Sequence, residues 1–155
     1  MERELKRDYH IITATSRLDH IARDFVAHYS NAWETGKAMF VCLDKITCVR
    51  MYKLIELYWQ QDIKVKEKEL MLAIDEQDLA WRERQLTWMK ESRMAVVVSE
   101  EQGEIAKFEK WGLDIKPHRQ LLKEGFELAD GSRLNMEDAF KSSEHPFRVA
   151  VVCAM

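Results

Sequence analysis

Three short apolar runs interrupt an otherwise mixed pattern of hydrophobic and polar positions. They occupy residues 38–43, 94–98 and 149–155. None of them alternates apolar with polar residues, and strands that are covered on both faces have this unbroken pattern. Because parallel sheets lie between layers of helices, we expect a parallel sheet of about three or more strands flanked by helices.

Amphipathic segments precede and follow the first run. Apolar residues at spacings of three and four from Leu18 to Tyr29 predict a helix, in which Ser16 and Asp19 are expected to form a capping box. Asp44 is expected to cap a second helix directly after the first strand. The apolar face of that second helix is predicted to consist of Cys48, Tyr52, Ile55 and Trp59.

A second unit of strand and helix follows at residues 94–112. The spacing of Ser99 and Gln102 predicts a capping box, and Gly112 is expected to end the helix. Another short helix is predicted at residues 135–140, before the last apolar run. A strand followed by a capped helix is the repeating unit of α/β folds, so the predicted fold class is α/β.

Residues 60–93 form a charge-rich helical insertion between the first two predicted strands. Two stripes with heptad spacing run along it, one of leucines and one that includes Trp81 and Trp88. Positions two residues apart are about 200° apart around a helix, so the stripes face opposite sides. A long helix buried on two sides would explain the pattern, as would a helical excursion bent back on itself. The insertion serves packing in our main interpretation and binds a partner in the alternative.

Composition and charge exclude several classes of protein. The 155 residues carry a formal net charge of −3, with 46% hydrophobic and 33% charged residues, as folded globular domains do. No apolar run approaches the roughly 18–20 residues that span a membrane, so we expect no membrane partner. Three cysteines are an odd number and occupy apolar or helical positions, which favours a reducing, cytoplasmic location.

Motifs of the common catalytic sites are missing. The sequence contains neither a phosphate-binding loop nor the serine elbow of hydrolases. The five histidines lack the spacing of metal ligands, and the acidic run 75–78 lies inside the helical insertion. We therefore predict no catalytic, cofactor-binding or metal-binding residues in this chain.

One arrangement of residues could bind a ligand. In an open parallel sheet, ligands gather outside the carboxyl ends of the strands, where helix N-termini offer free N–H groups. That edge is predicted to carry Asp44, Lys45, Thr47 and Ser99, whose side chains suit phosphate or a nucleic-acid backbone. The alternative is that Asp44 and Ser99 only cap helices. A second basic cluster, residues 116–123 with Arg119, is interpreted as a solvated face.

Four stretches together resemble the restriction (R) subunit of type I restriction-modification enzymes. They are residues 24–29 (DFVAHY), 36–49 (GKAMFVCLDKITCV), 94–101 (MAVVVSEE) and 145–155 (HPFRVAVVCAM). The similarity keeps their order and spans residues 16–155. It implies the second of two RecA-like lobes (P-loop NTPase type) of a DNA-translocating ATPase and endonuclease, with residues 60–93 as an insertion and residues 1–15 as an inter-lobe linker.

The same resemblance sets the expected function. Asp44 and Lys45 fall at the helicase motif that opens this lobe, and Ser99 falls near the DNA track. The partners implied are DNA, the first motor lobe and the nuclease domain of the parent chain, and the modification and specificity subunits. ATP and Mg belong to the parent enzyme, whose phosphate loop and nuclease carboxylates this chain lacks, so we expect a piece that is inactive alone and contributes DNA-backbone and inter-lobe contacts.

The chain ends within an apolar run, although domains usually end on surface residues. We therefore expect an incomplete lobe whose unfinished sheet favours self-association. Two other functions stay open at this stage. One is a non-enzymatic α/β interaction module that uses the helix at 60–93 as its partner surface, and the other is an independent small α/β enzyme.

Overall fold

The computed structural model describes residues 14–154. The described residues divide into two compact units, which are residues 14–34 with 53–90 (the helical unit) and residues 35–52 with 91–154 (the sheet unit). The helices are α1 Thr15–Asn31, α2 Lys45–Glu69, α3 Glu76–Glu91, α4 Glu104–Glu109, α5 Lys116–Glu124 and α6 Met136–Lys141. The strands are β1 Ala38–Cys42, β2 Arg93–Val97, β3 Phe126–Glu127, β4 Arg133–Leu134 and β5 Phe147–Cys153. Short 3₁₀ turns lie at Trp33–Thr35 and Leu70–Leu72.

The sheet unit contains a three-stranded parallel sheet in the order β1-β5-β2. This confirms the α/β class and the parallel sheet flanked by helices. All three strands fall within a few residues of the predicted runs. In the central strand Val149, Ala150 and Val151 are buried, as a strand covered on both faces requires.

A small second layer packs on one face of this sheet. The two-residue strands β3 and β4 pair antiparallel, and α6 follows them. Phe126 and Met136 from this layer form a buried cluster with Phe147 and Ala150 of the central strand. Gly125 ends α5 at a φ of 72°, and a Cβ there would lie 2.2 Å from the Leu134 carbonyl oxygen, so only glycine fits.

The helical unit is built around an aromatic cluster. Its members, each with ring centroids 5.4–6.1 Å from at least one other member, are Tyr29, Trp33, Trp59, Trp81 and Trp88. The indole N–H of Trp59 donates to the Met89 carbonyl at 2.9 Å, and Gln85 donates to the Ser30 carbonyl at 2.8 Å. These buried polar groups are therefore paired, as a packed interior requires.

The predicted insertion is a helical excursion bent back on itself, not one long helix. α2 ends at Glu69, a 3₁₀ turn follows, and α3 returns alongside it, with Arg82 donating to the Glu69 carbonyl at 3.3 Å. Asp75, from the acidic run, accepts the Asp78 N–H at 2.7 Å at the start of α3. The first carboxylate of that run therefore acts as a helix cap.

The predicted helix caps give mixed results. Asp44 caps α2, since its carboxylate accepts the Thr47 N–H at 2.7 Å. The box of Ser16 and Asp19 is wrong, because α1 begins at Thr15 after Ala14 without a side-chain cap. Asp19 instead bonds Arg23 and Tyr58.

The second predicted box is also wrong. The helix after β2 begins only at Glu104, behind Gly103 in the left-handed conformation, so Ser99 lies in the preceding loop. The predicted helix at 135–140 is confirmed as α6, whose N-cap Asn135 accepts the Asp138 N–H. The predicted linker at residues 1–15 lies outside the described residues apart from the last two.

Candidate nucleic-acid interface

The parallel sheet brings the predicted binding residues to one edge. All three strands of the sheet point the same way, and β5 lies between β1 and β2. Residues 43–47 follow β1 and residues 98–101 follow β2, on either side of the end of β5. We call these two segments, with residues 153–154, the carboxyl edge. The Ala154 N–H donates to the Cys42 carbonyl at 2.9 Å and extends the strand pairing up to this edge.

The N-terminus of α2 lies at the carboxyl edge. The helix has 25 residues, and its first turn presents N–H groups without acceptors inside the helix. Asp44 satisfies one of them, that of Thr47. The remaining amides and the helix dipole favour an anion at this place.

Lys45 links the two sides of the carboxyl edge. Its ammonium lies 3.6 Å from the Glu101 carboxylate, beyond the end of the central strand. Lys107 also approaches Glu101, at 3.4 Å. The Lys45 side chain is only 17% exposed, which leaves its position better defined than that of a free surface lysine. The structure thus brings Lys45 together with the loop that contains Ser99.

Thr47 has a different position from the other predicted residues. It is only 4% exposed, and its hydroxyl oxygen is buried without a hydrogen-bond partner among the described residues. An unpaired buried hydroxyl costs about 1–3 kcal/mol. Thr47 therefore contributes its amide to the cap of α2, while its hydroxyl lies beneath the surface of the edge.

Ser99 lies at the surface, in a loop held by Arg119. The Arg119 guanidinium donates to the Ser99 carbonyl at 2.7 Å and to the Val98 carbonyl at 2.5 Å. It also forms an ion pair with Glu104, in which Nη2 donates to Oε2 at 2.7 Å and Nε lies 3.1 and 2.9 Å from the two carboxylate oxygens. The side chains of Arg119 and Glu104 are 15% and 12% exposed. The interpretation of residues 116–123 as a solvated face is therefore wrong for Arg119, which positions the loop after β2.

Sequence reasoning could not find this role of Arg119. Its partners lie on two other segments, and Glu104 is 15 residues away along the chain. No periodicity or motif links residues on separate elements in this way. A cavity of about 410 Å³ adjoins the same ion pair.

Three thiols lie together behind the carboxyl edge. Cys42 and Cys153 are paired in register on β1 and β5, and Cys48 lies in the first turns of α2. Hydrogen bonding to Cys42, together with burial, raises the pKa of the Cys48 thiol well above its usual range. Both strand cysteines are expected to be buried from their apolar runs, and the structure buries Cys42 but leaves Cys153 partly exposed. Since a neutral thiol is a poor nucleophile, Cys48 serves packing.

Two kinds of feature are missing from the part of the chain that the structure describes. Residues 14–154 contain no group of three His, Cys, Asp or Glu side chains that could hold a metal ion. Over the same residues, no helix combines the length and the apolar character needed to cross a bilayer.

The fold and the edge together define a parallel α/β domain with a polar carboxyl edge of mixed charge. Comparisons with protein-family models, with curated proteins and with solved structures find no match to this chain.

Proposed function

We propose that this chain is part of a DNA-translocating motor of the type I restriction kind, and that its sheet unit is a RecA-like lobe that contacts the DNA backbone through the carboxyl edge. The observation that carries the proposal is the position of Lys45, which lies beside the N-terminus of α2 and next to the loop of Ser99. An ammonium, helix amides and an exposed hydroxyl are the groups that position a nucleic-acid phosphate.

The charge on the edge explains how such a contact would be controlled. Glu101 neutralises Lys45 in the absence of a ligand. A phosphate that approaches the edge would replace Glu101 as the counter-ion of Lys45, and the exchange would keep the binding weak and reversible. A motor that moves along DNA needs contacts of this kind, since each contact must be released in every step.

The proposed role of the chain is contact and not turnover. It has no phosphate-binding loop. ATP and Mg are therefore proposed to bind with the first lobe of the parent enzyme. The modification and specificity subunits would supply recognition of the DNA sequence, and the proposed location is the cytoplasm. We expect the purified chain to show no ATPase activity, and measurable hydrolysis would contradict this part of the proposal.

DNA binding by charge variants tests the proposed interface. The full chain is titrated with a fluorescent DNA duplex at several salt concentrations. Lys45→Gln should weaken binding and reduce the slope of log K against log salt by about 1, the value for one lost phosphate contact. Lys123→Gln removes the same charge from the exposed side of α5 and should have little effect.

The variant Glu101→Gln tests for the opposite effect, a gain in DNA affinity. It releases Lys45 from its carboxylate partner, so DNA affinity should rise at low salt. Equal weakening by Lys45→Gln and Lys123→Gln, or no gain from Glu101→Gln, would refute the carboxyl edge as the DNA contact.

A second candidate function is favoured by the turn between α2 and α3. Met71 is 85% exposed and Ile74 is 87% exposed, and Leu72 is exposed between them. Exposed apolar patches mark sites of protein interaction. We therefore keep the interaction module as the alternative, with this apolar turn as its contact surface. The sheet adds a further apolar surface, because Met39 and Val41 on β1 are also exposed.

Sedimentation at increasing concentration tests self-association through either surface. Association that the double variant Met71→Ser with Ile74→Ser abolishes would favour the module. Association that only Val41→Thr abolishes would favour contact through the sheet. A monomer at all concentrations would contradict self-association through both.

A further inference from the structure

The opposite end of the sheet carries three cations on three neighbouring strands. Lys37 immediately precedes β1, Arg93 begins β2, and Arg148 is the second residue of β5. Ala38 pairs with Val149, so Lys37 and Arg148 occupy the preceding positions of adjacent strands. Arg93 pairs with Phe147 on the other side of β5. We call this end, residues 37, 92–93 and 145–148, the amino edge.

Each of these cations contacts neutral groups. The Lys37 ammonium donates to the Ala139 carbonyl at 2.7 Å and lies 5.4 Å from the centre of the Phe140 ring. The Arg93 guanidinium lies 5.0 Å from the centre of the Phe126 ring. These contacts hold the side chains in place without neutralising their charge.

Two of these three cations, Lys37 and Arg93, form no ion pair with a carboxylate among the described residues. Glu124 and Glu127 line the same cavity of about 600 Å³ as Arg93, but neither forms an ion pair with it. Arg148 donates to the Ser92 hydroxyl at 2.9 Å.

His145 lies close enough to Lys37, Arg93 and Arg148 for their charges to affect its pKa. Its imidazole accepts the Phe147 N–H at 3.0 Å and lies 4.9 Å from the Phe126 ring. Burial lowers the pKa of His145, and the charges of Lys37, Arg93 and Arg148 lower it further. Burial and the charge of Arg148 likewise lower the pKa of Lys37. The charges that act on both groups are positive.

Like charges at neighbouring strand positions destabilise a sheet. Lys37 and Arg148 occupy such positions, and neither Lys37 nor Arg93 has a carboxylate partner among the described residues, so the folded chain gains stability when an anion binds at this edge. Arginine is well suited to this, because its planar guanidinium matches the oxygens of a phosphate. We propose that the amino edge is an anion site that binds a phosphate group through Lys37, Arg93 and Arg148. It lies at the other end of the strands from the proposed DNA contact, and it does not depend on that contact.

Thermal unfolding of the full chain with inorganic pyrophosphate tests this site. At low ionic strength, pyrophosphate should raise the Tm of the wild-type chain above that in sodium chloride of equal ionic strength, because a ligand that binds only the folded state stabilises it. Lys37→Gln and Arg93→Gln should each weaken pyrophosphate binding by about tenfold. Lys123→Gln should leave the rise in Tm unchanged. The same rise in Lys37→Gln as in the wild type would overturn the proposal.

A second readout does not depend on the stability of the variants. In NMR titrations, pyrophosphate should raise the pKa of the His145 imidazole, since the anion offsets the three cations that lower it. Lys37→Arg keeps the charge and should keep this response. An unchanged His145 titration at saturating pyrophosphate would also overturn the proposal.

DNA binding by Lys37→Gln identifies the source of the phosphate. If a DNA backbone occupies the amino edge, Lys37→Gln should weaken the binding of both the duplex and pyrophosphate. If the ligand is a free phosphate compound, Lys37→Gln should weaken pyrophosphate binding and leave DNA affinity unchanged. Either result supports a phosphate site, and the lack of both pyrophosphate and DNA binding at this edge would contradict it.

Discussion

The pair of Arg119 and Glu104 should be the most consequential ion pair at the carboxyl edge. Arg119→Met removes a guanidinium whose Nε and Nη2 donate to the Glu104 carboxylate and which also donates to two carbonyls of the loop after β2. Breaking one side of a buried ion pair costs about 3–5 kcal/mol, because the other charge stays buried without a partner. Both side chains keep some exposure, 15% and 12%, so we expect the lower end, about 3 kcal/mol.

Removing the carboxylate alone should cost less. In Glu104→Gln, Arg119 keeps its bonds to the Val98 and Ser99 carbonyls, and we expect a loss of about 1–2 kcal/mol. The double variant Arg119→Met with Glu104→Gln should be less destabilised than the sum of the two, since no buried charge remains.

Urea unfolding of the full chain, followed by far-UV circular dichroism, measures these changes. Lys141→Met is the control, because its pair with Glu137 is solvent-exposed and should not change the midpoint measurably. A loss below about 1 kcal/mol in Arg119→Met, or full additivity in the double variant, would refute the reasoning.

Three further predictions concern stability. Asp44→Ala should destabilise the chain by about 1 kcal/mol, and Asp44→Ser should keep most of the cap of α2, as measured by urea unfolding. Gly125→Ala should destabilise the chain more than Gly131→Ala in thermal unfolding, because both glycines have positive φ but only the first lacks room for a Cβ. The bond from Tyr58, followed by that from Arg23, lowers the pKa of Asp19. A lowered carboxyl pKa stabilises the folded state above the unfolded pKa, and this contribution is lost as the pH falls through the folded pKa. Asp19→Asn should therefore flatten the loss of stability between about pH 5 and 2, and an unchanged acid profile would contradict this.

Local patterns predicted the parts of the fold that depend on neighbours in the sequence. The strands were predictable because an unbroken apolar run needs cover on both faces wherever it lies. The Asp44 cap was predictable because the bond from an amide to a carboxylate three residues earlier depends only on local sequence.

Tertiary contacts explain why other sequence predictions were wrong or could not be made. Asp19 is turned away from the end of its helix by Arg23 and Tyr58, one of which lies 39 residues away. Ser99 does not cap a helix because Arg119 holds the carbonyls of its loop. The strands β3 and β4 have two residues each, too few to show any alternation. The row of cations at the amino edge could not be predicted for a similar reason, since its members lie far apart in the sequence and only the sheet brings them together.

The strand order of the sheet also governs how the sheet unit can fold. β1 and β2 do not pair with each other, and each pairs only with β5. Ala38 meets Val149 and Met94 meets Val149 as well, so one strand near the end of the described chain completes both ladders. Contacts between such distant residues slow folding, because a long loop must close before any of them forms. During synthesis, the backbone groups of both outer strands stay unpaired until residues 147–153 emerge from the ribosome. The late synthesis of β5 therefore determines how long the nascent chain is exposed to aggregation and depends on chaperones.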